Sequence, residues 1–505
     1  MADDDVPQGL TAAQWALEKR KLDAMGEPDP YAKWAEDGVA ALREKRQQSR
    51  RSTSNILAVA RGPIDGMLLP GGLSGPAGPS EESLAREFVH LHGDNWQYDF
   101  AIGRWLHWNG SRWQWDQAGL LRHLIVDHLR AACPSKPAMQ SSRTARGVQD
   151  IVAVNPVIAA PHDRFDPAPM LLGTPGRVVD MATGKSRAAE RADYITKATS
   201  VEPKWSEPKL WLKFLHDCTG GDVPFIAYLQ RVAGYCLTGA TSAHALFFIF
   251  GGGKNGKSVF LNTVQRVAGE YAATASMDTF TASKSDRHPT DLARLDGPRL
   301  VTASETEEGR AWAESRIKQL TGGDPIAARF MRQDFFEFRP VFKLVIAGNF
   351  QPQLHNVDEA MRRRFHMIPF LNIPTRPDPR LEEKLTAEHP QILAWMIEGA
   401  RVWARRGLER PDAVVDASDR YFEEQDLFGH WLDECCVRRA GAIGRSGDLF
   451  ASWRDFARRN GEDAGTQKAM AGALRKRGFQ SARVSGGTRA WQGITLPDAL
   501  SGGDA

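Results

Sequence analysis

Between Ala245 and Ser258 the chain reads ALFFIFGGGKNGKS, and it continues as VFLNTVQRVAG. Six consecutive apolar residues ending at glycine predict a strand buried on both faces. The segment after Ser258 has helical spacing. Strand, G-x-x-x-x-G-K-S loop and helix, in that order, are the context a phosphate-binding loop requires. Each residue type has a reason to be there. Glycines let successive backbone N–H groups turn inward without Cβ clashes. The helix N-terminus adds favourable partial charge for an anion. Lys257 can reach the β- and γ-phosphates of a nucleotide, and the Ser258 hydroxyl can ligate Mg²⁺. The predicted binding segment is Gly251, Gly252, Gly253, Lys254, Asn255, Gly256, Lys257, Ser258 and Val259. A purely structural strand-to-helix turn rarely supplies both Lys and Ser after its last glycine.

Such a loop needs an acid at the end of a neighbouring strand. RLVTASETEE (299–308) predicts a strand at Leu300–Ala303 leading into Ser304 and Glu305. Glu305 is the candidate to polarise an attacking water or to hold the metal's shell. Glu307 and Glu308 read as a solvated turn. FKLVIAGN ends a third strand at Asn349, whose amide can orient a water or sense a phosphate; alone, an Asn there is more often a turn former. DEAMRRRF (358–365) follows, and its arginines either reach a phosphate or form a solvated basic helix face.

Taken in order, GGGKNGKS, RLVTASE, IKQLTGGDPIAAR, FKLVIAGN and DEAMRRRFHMIPF resemble the superfamily 3 helicases, and most closely the phage/plasmid and poxvirus-type primase-helicase family. FDPAPMLLGTPGRVVDMATGK (165–185), DYITKAT (193–199) and residues 381–408 extend the resemblance to residues 95–440. It implies an AAA+-type ATPase using ATP and Mg²⁺. It also implies a homo-oligomeric ring, usually hexameric, that moves 3′→5′ on single-stranded DNA and unwinds forked DNA. Lys257 and Ser258 fall on the Walker A pair, Glu305 on the Walker B acid and Asn349 on the sensor. Arg363 and Arg364 fall on an Arg-Arg pair, one of which is a finger toward the neighbouring subunit. Ser304 stands where many relatives have a first acid, and Arg362 where the family has an aromatic. Residues 326–338 read as a hairpin that in the family faces the ring channel, where Arg329 and Arg332 either grip DNA phosphates or stay solvated. Larger members carry an N-terminal primase domain; no primase activity is expected of this polypeptide, and a separate primase is an expected partner.

The remaining sequence sets the organisation. Residues 11–50 look helical and end in a basic run at 43–51, and GPIDGMLLPGGLSGPAGPS (62–80) is too rich in Gly and Pro for a helix or central strand. Five tryptophans between Trp96 and Trp115 alternate like strands, with Asn109-Gly110 fitting a tight hairpin turn. Interleaved with arginine they can stack bases, but a small sheet packing its aromatics on the helix 120–132 is the simpler reading. A second β-rich stretch covers 169–197, and helices are predicted over 211–237 with a break at 219–222. Near the C-terminus, 437–496 reads helix, helix, two-stranded wing, with Thr466 as an N-cap, Gly478 as a stop and a Gly-Gly turn. That order is winged-helix-like. Lys468, Arg475, Lys476 and Arg477 are its candidate DNA contacts, with Arg483 and Arg489 on the wing; a basic protein-docking domain is the alternative.

The expected fold class is α/β: an AAA+ P-loop NTPase core with an α+β N-terminal domain and a C-terminal winged-helix-like domain. The expected divisions are an arm and linker (1–82), the α+β domain (83–205), a helical collar and core (206–385), a helical lid (386–436) and the basic module (437–505). Composition is ordinary for such a chain: 505 residues, 42% hydrophobic, 65 Lys+Arg against 62 Asp+Glu. Five cysteines without a C-x-x-C pair argue against a disulfide framework or structural zinc and suit a reducing compartment. The N-terminus does not read as a signal peptide and no apolar run is long enough to span a bilayer, so a cytoplasmic location without membrane partners is expected. The leading functional reading is a replicative DNA helicase. The alternatives are an ATP-dependent origin-binding initiator or remodeller, and a DNA translocase without processive unwinding.

Overall fold

The computed structural model describes residues 79–281, 290–305, 312–331, 334–352, 354 and 359–497. The basic run at 43–51 and nearly all of the Gly/Pro linker lie outside the described residues. The described residues divide into two compact units: residues 79–92 with Leu121–Asn155, and Gly93–Leu120 with the described residues from Pro156 onward. In the first, the amphipathic helices α1 (Glu81–His92), α2 (Leu120–Ala132) and α3 (Ser142–Ala153) bury Leu84, Phe88, Ile125, Leu129, Val148 and Val152. Ser141 caps α3, accepting from Thr144 N.

The second unit opens with β1 (Trp96–Asp99), β2 (Arg104–Trp108) and β3 (Trp113–Trp115), joined to β4 (Ala159–Ala160) in the order β3-β2-β1-β4. The β2–β3 hairpin forms, but its turn is wider than the Asn109-Gly110 pair predicts. Trp108 pairs with Trp113, leaving four loop residues. Asn109 closes them, its Oδ1 accepting from the amides of Ser111 (3.0 Å) and Arg112 (2.9 Å). The β3 tryptophans turn toward residues 165–194: Trp113 stacks on Tyr194 and donates to Arg191 O, and Trp115 meets Phe165. The second β-rich stretch folds as β5 (Leu171–Gly173), β6 (Arg177–Asp180) and β7 (Ser186–Ala188) in one antiparallel sheet.

One part-buried network ties β1 to the core. His162 contacts Asp99 Oδ2 through Nδ1 (2.6 Å) and Asp296 Oδ2 through Nε2 (2.9 Å). The Asp296 hydrogen bond, then the Asp99 one, raises the imidazole pKa from 6.5 to about 10. The folded chain therefore binds a proton that the unfolded chain releases near pH 6.5. The resulting stabilisation is complete below that pH and is lost as pH rises through about 10. Urea midpoints of the parent protein should fall between pH 7 and pH 10. His162→Leu should begin about 3–5 kcal/mol lower at pH 7 and decline less steeply; equal slopes would show that His162 does not carry the extra proton.

Helices α4 (Lys209–Thr219) and α5 (Val223–Leu237) follow, the second capped by Asp222, whose side chain accepts from Phe225 N. The centre is a five-stranded parallel sheet of β8 (Leu246–Phe250), β9 (Ala272–Thr274), β10 (Leu300–Glu305), β13 (Lys343–Gly348) and β14 (Phe365–Pro369), ordered β14-β8-β13-β10-β9. Its strands alternate between two cores. Phe247, Ile249, Val345 and Ile368 face one side; Leu246, Phe248, Leu344, Ile346 and Met367 face the other. Burial on both faces explains the continuous apolar runs. Helix α6 (Lys257–Ala268) packs on the first face, as does α9 (His389–Arg406). Helices α5 and α9 touch backbone to backbone at two glycines. A Cβ on Gly234 would lie 2.1 Å from Ala400 N, and one on Gly399 2.0 Å from Gln230 O. At the far end of α5, Arg299 donates to Leu237 O (2.9 Å) and buried Lys343, its pKa brought down to about 7 by desolvation, donates to Thr238 O, so two side-chain donors meet the negative pole of the helix.

Between β10 and β13 lie α7 (Glu314–Gly322) and the predicted hairpin, β11 (Ile326–Ala328) with β12 (Phe336–Phe338). Helix α8 (Glu359–Arg364) leads directly into β14, and α10 (Asp412–Glu424) covers that strand. The C-terminal module comprises α11 (Leu427–Cys435), β15 (Val437–Arg445), α12 (Ser446–Arg459), α13 (Gln467–Lys476), β16 (Gln480–Arg483) and β17 (Arg489–Thr495). Its sheet has three strands, β15-β17-β16, one more than the predicted two-stranded wing. Its core reaches back to Trp431 and Leu432, ahead of the residue 437 where the sequence pattern starts it. Thr466 caps α13 as predicted, accepting from Ala469 N, and Gly486-Gly487 turn the wing with positive φ. Among the described residues no helix is long and apolar enough to cross a membrane.

Candidate active site

Parallel register builds the site. Phe250 pairs with Gly348, and Gly348 pairs with Glu305. The last residues of β8, β13 and β10 therefore lie side by side, about 4.8 Å from strand to strand. The next residues outward are Gly251 and Asn349. Three motifs separated by up to a hundred positions thus share one sheet edge, the carboxyl edge where open α/β sheets bind ligands. Strand β10 runs two residues beyond its predicted end and includes Glu305 itself. Asn349 is exposed just past β13.

The loop from Gly251 to Gly256 leads from β8 into α6, whose first residue is Lys257. Gly251 allows a close approach: a Cβ there would sit 2.0 Å from Phe370 O. Gly256, at φ 86°, leaves no room either, since a Cβ would lie 2.4 Å from Cys218 Sγ. Around Gly252 and Gly253, by contrast, a Cβ would meet nothing within 4 Å, so these two positions are not crowded by their surroundings. The Lys257 ammonium sits within the loop, donating to Gly251 O (2.7 Å) and Asn255 Oδ1 (3.1 Å). Burial to 7% exposure lowers its pKa below the usual lysine range. Ser258 is exposed at the first turn of α6, Val259 packs partly against the core, and Lys254 is exposed with φ 55°. A glycine-rich loop around an ammonium at a helix N-terminus, with a hydroxyl on the next residue, fits a nucleotide phosphate and its Mg²⁺.

Asn255 has a role that the motif alone does not reveal. Its side chain is 2% exposed and bridges two elements, accepting from Lys257 Nζ and donating through Nδ2 to Phe370 O just past β14. Only the pairing of β14 with β8 brings Phe370 there.

The arginine triplet lies at the opposite edge. Phe365, the residue after Arg364, pairs with Leu246 at the start of β8. The three side chains differ. Arg362 lies 4.9 Å over the Phe422 ring. Arg364 is half-buried and donates to Thr321 Oγ1 (3.3 Å). Arg363 is exposed, and its guanidinium has no partner among the described residues.

On the hairpin, Arg329 is exposed over the Phe335 ring (4.8 Å), beside exposed Met331; Arg332 lies outside the described residues. In the C-terminal module Lys468, Arg475 and Lys476 are exposed on α13, Arg475 lying 5.8 Å over Trp491. Arg477 is exposed too, but its guanidinium is engaged, paired with Asp426 (2.5 Å) and stacked over Phe428. On the wing, Arg483 stands directly opposite Arg489.

Residues 85–220 match a family described as D5 N terminal like, and residues 249–364 match a family of unknown function (DUF5906). The chain is 25% identical over 233 residues to a putative helicase, L207/L206, of Acanthamoeba polyphaga mimivirus. That match covers 42% of this chain and 24% of the relative. It is 26% identical over 262 residues to putative helicase 022R of Frog virus 3 (isolate Goorha), covering 46% and 26%. These findings support a D5-type primase-helicase relationship. The matched stretches span about a quarter of those two viral relatives. Among solved structures, the apo NrS-1 C-terminal region aligns over 82% of this chain and 99% of its own, at 9% identity and a TM-score of 0.47.

Proposed function

We propose that the chain is an ATP-dependent replicative DNA helicase of a phage or other mobile element, an AAA+ ring that moves 3′→5′ on single-stranded DNA. The observation that carries this reading is the opposition across one sheet. The phosphate loop, Glu305 and Asn349 share the carboxyl edge, while Arg363 starts from the other. Five strand residues span about 17 Å, so Arg363 cannot reach the loop of its own subunit. An exposed arginine there suits a nucleotide held by an adjacent copy.

In this reading the loop amides and Lys257 hold the phosphates, and Ser258 and Glu305 hold Mg²⁺. The ion, when bound, supplies positive charge to the phosphate oxygens. Glu305 accepts the proton of the attacking water and Asn349 orients that water. Arg329 and Arg332 meet the strand in the channel, and the Phe335 ring beside Arg329 offers a stacking surface for a base. The C-terminal module acts as a winged-helix-like duplex binder through Lys468, Arg475 and Lys476. Like charges directly opposite in a sheet are destabilising, so the Arg483–Arg489 pair also suits an anionic partner.

The test is unwinding of forked DNA carrying either a 3′ or a 5′ single-stranded tail, with ATP. The parent protein should open the 3′-tailed fork. Glu305→Gln should bind ATP while lowering turnover about 10²–10⁴-fold. DNA-stimulated hydrolysis without strand separation would favour the initiator or translocase instead.

A further inference from the structure

The segment joining α9 to α10 is held from below by a buried arginine. Arg231 of α5, 8% exposed, donates from Nε to Leu408 O (2.9 Å) and from Nη2 to Glu409 O (2.8 Å). Glu409 has φ 40°, a left-handed backbone that a residue with a Cβ keeps only when its surroundings impose it. Pro411 then restricts Arg410 to extended conformations. The outcome is a guanidinium turned inward. Arg410 Nη2 donates to the backbone carbonyl of Arg363 and to His366 Nε2 (3.0 Å). His366, 3% exposed on β14, is kept neutral by burial, its pKa well below the usual value. With Nε2 accepting, its proton sits on Nδ1, facing Tyr228 Oη at 2.6 Å.

Desolvating a guanidinium onto two neutral acceptors is costly, and burial accordingly lowers the Arg410 pKa. An apolar residue would fill the space at less cost. What the arginine adds is a fixed peptide between Arg363 and Arg364, and that peptide sets the direction in which Arg363 leaves the backbone. Its neighbours are held separately, Arg362 by Phe422 and Arg364 by Thr321.

We infer that Arg410 is a positioning residue for Arg363, aiming that side chain at the nucleotide of the adjacent subunit. The inference rests on the reading of Arg363 as a finger acting between subunits. In a ring it divides labour within each chain: the lid segment carrying Arg410 governs the neighbour's active site and not its own.

The experiment compares steady-state ATP turnover of the full chain with Arg363→Ala, Arg410→Gln and Arg410→Lys, and then mixes variants. Arg410→Gln should lower kcat about 10²-fold, the scale of a small misplacement, with KM within about twofold. Arg410→Lys, which can still donate to one acceptor, should fall in between and serves if the Gln variant does not fold. Mixed with Lys257→Ala, which has an intact finger, Arg410→Gln should regain activity. Mixed with Arg363→Ala it should not. Parent-like kcat, recovery with Arg363→Ala, or recovery with neither partner would overturn the proposal, the last by marking a general packing role. Parent-like turnover of Arg363→Ala would instead remove the finger reading on which the inference stands.

Discussion

Lys257→Ala should abolish ATP turnover, by at least about 10²–10³-fold, the usual consequence of removing one donor from developing charge on an oxyanion. The ammonium is pre-positioned within the loop by Gly251 O and Asn255 Oδ1. Its lowered pKa reflects desolvation, which strengthens its attraction for a phosphate. The fold should survive. The two acceptors are buried and lose a donor, a cost of about 1–3 kcal/mol. The measurement is steady-state phosphate release beside a thermal unfolding curve. Turnover near that of the parent would sink the phosphate-loop assignment, and with it the ATPase reading of the chain.

Arg363→Ala should bind ATP yet hydrolyse it about 10³–10⁵-fold more slowly, the range reported for finger arginines in other NTPases. Arg362→Ala and Arg364→Ala should act differently. Each removes a contact within its own subunit, with Phe422 or Thr321, and should lower stability more than it lowers turnover. Mixing Arg363→Ala with Lys257→Ala should restore activity, because some interfaces then pair an intact loop with an intact finger. The assay is ATPase rate against mixing ratio where rings exchange subunits. No recovery at any ratio, with mixed rings present, would assign Arg363 a structural role. Specific activity independent of protein concentration down to the monomer would count against the ring.

Much of this arrangement is legible along the chain because it is locally encoded. The run LFFIF, the glycine-rich turn and the helical spacing after it specify strand, loop and helix through nearest-neighbour sterics and burial. Thr466 and Asp222 cap their helices through contacts three residues away. The hairpin at 326–338 follows from alternation, Ile326, Ala328, Phe336 and Phe338 facing inward. Asn109 shows where local reading falls short, since its side chain accepts from two amides and selects a wider turn than the Asn-Gly pair suggests.

What only tertiary structure decided depends on register and on partners far away in sequence. One-dimensional spacing cannot say that β13 lies between β8 and β10, and it is that order which sets Asn349 beside both Gly251 and Glu305. Nor does it distinguish three consecutive arginines, whose chemistry is identical until Phe422, Thr321 and Arg410 engage two of the side chains and one carbonyl. Arg477 likewise reads as one more basic residue of a helix end until Asp426 neutralises it. Local sterics and capping act within a few residues and are written in the chain. Strand order and long-range charge pairing arise only when the two cores close, because that closure brings together groups a hundred positions apart.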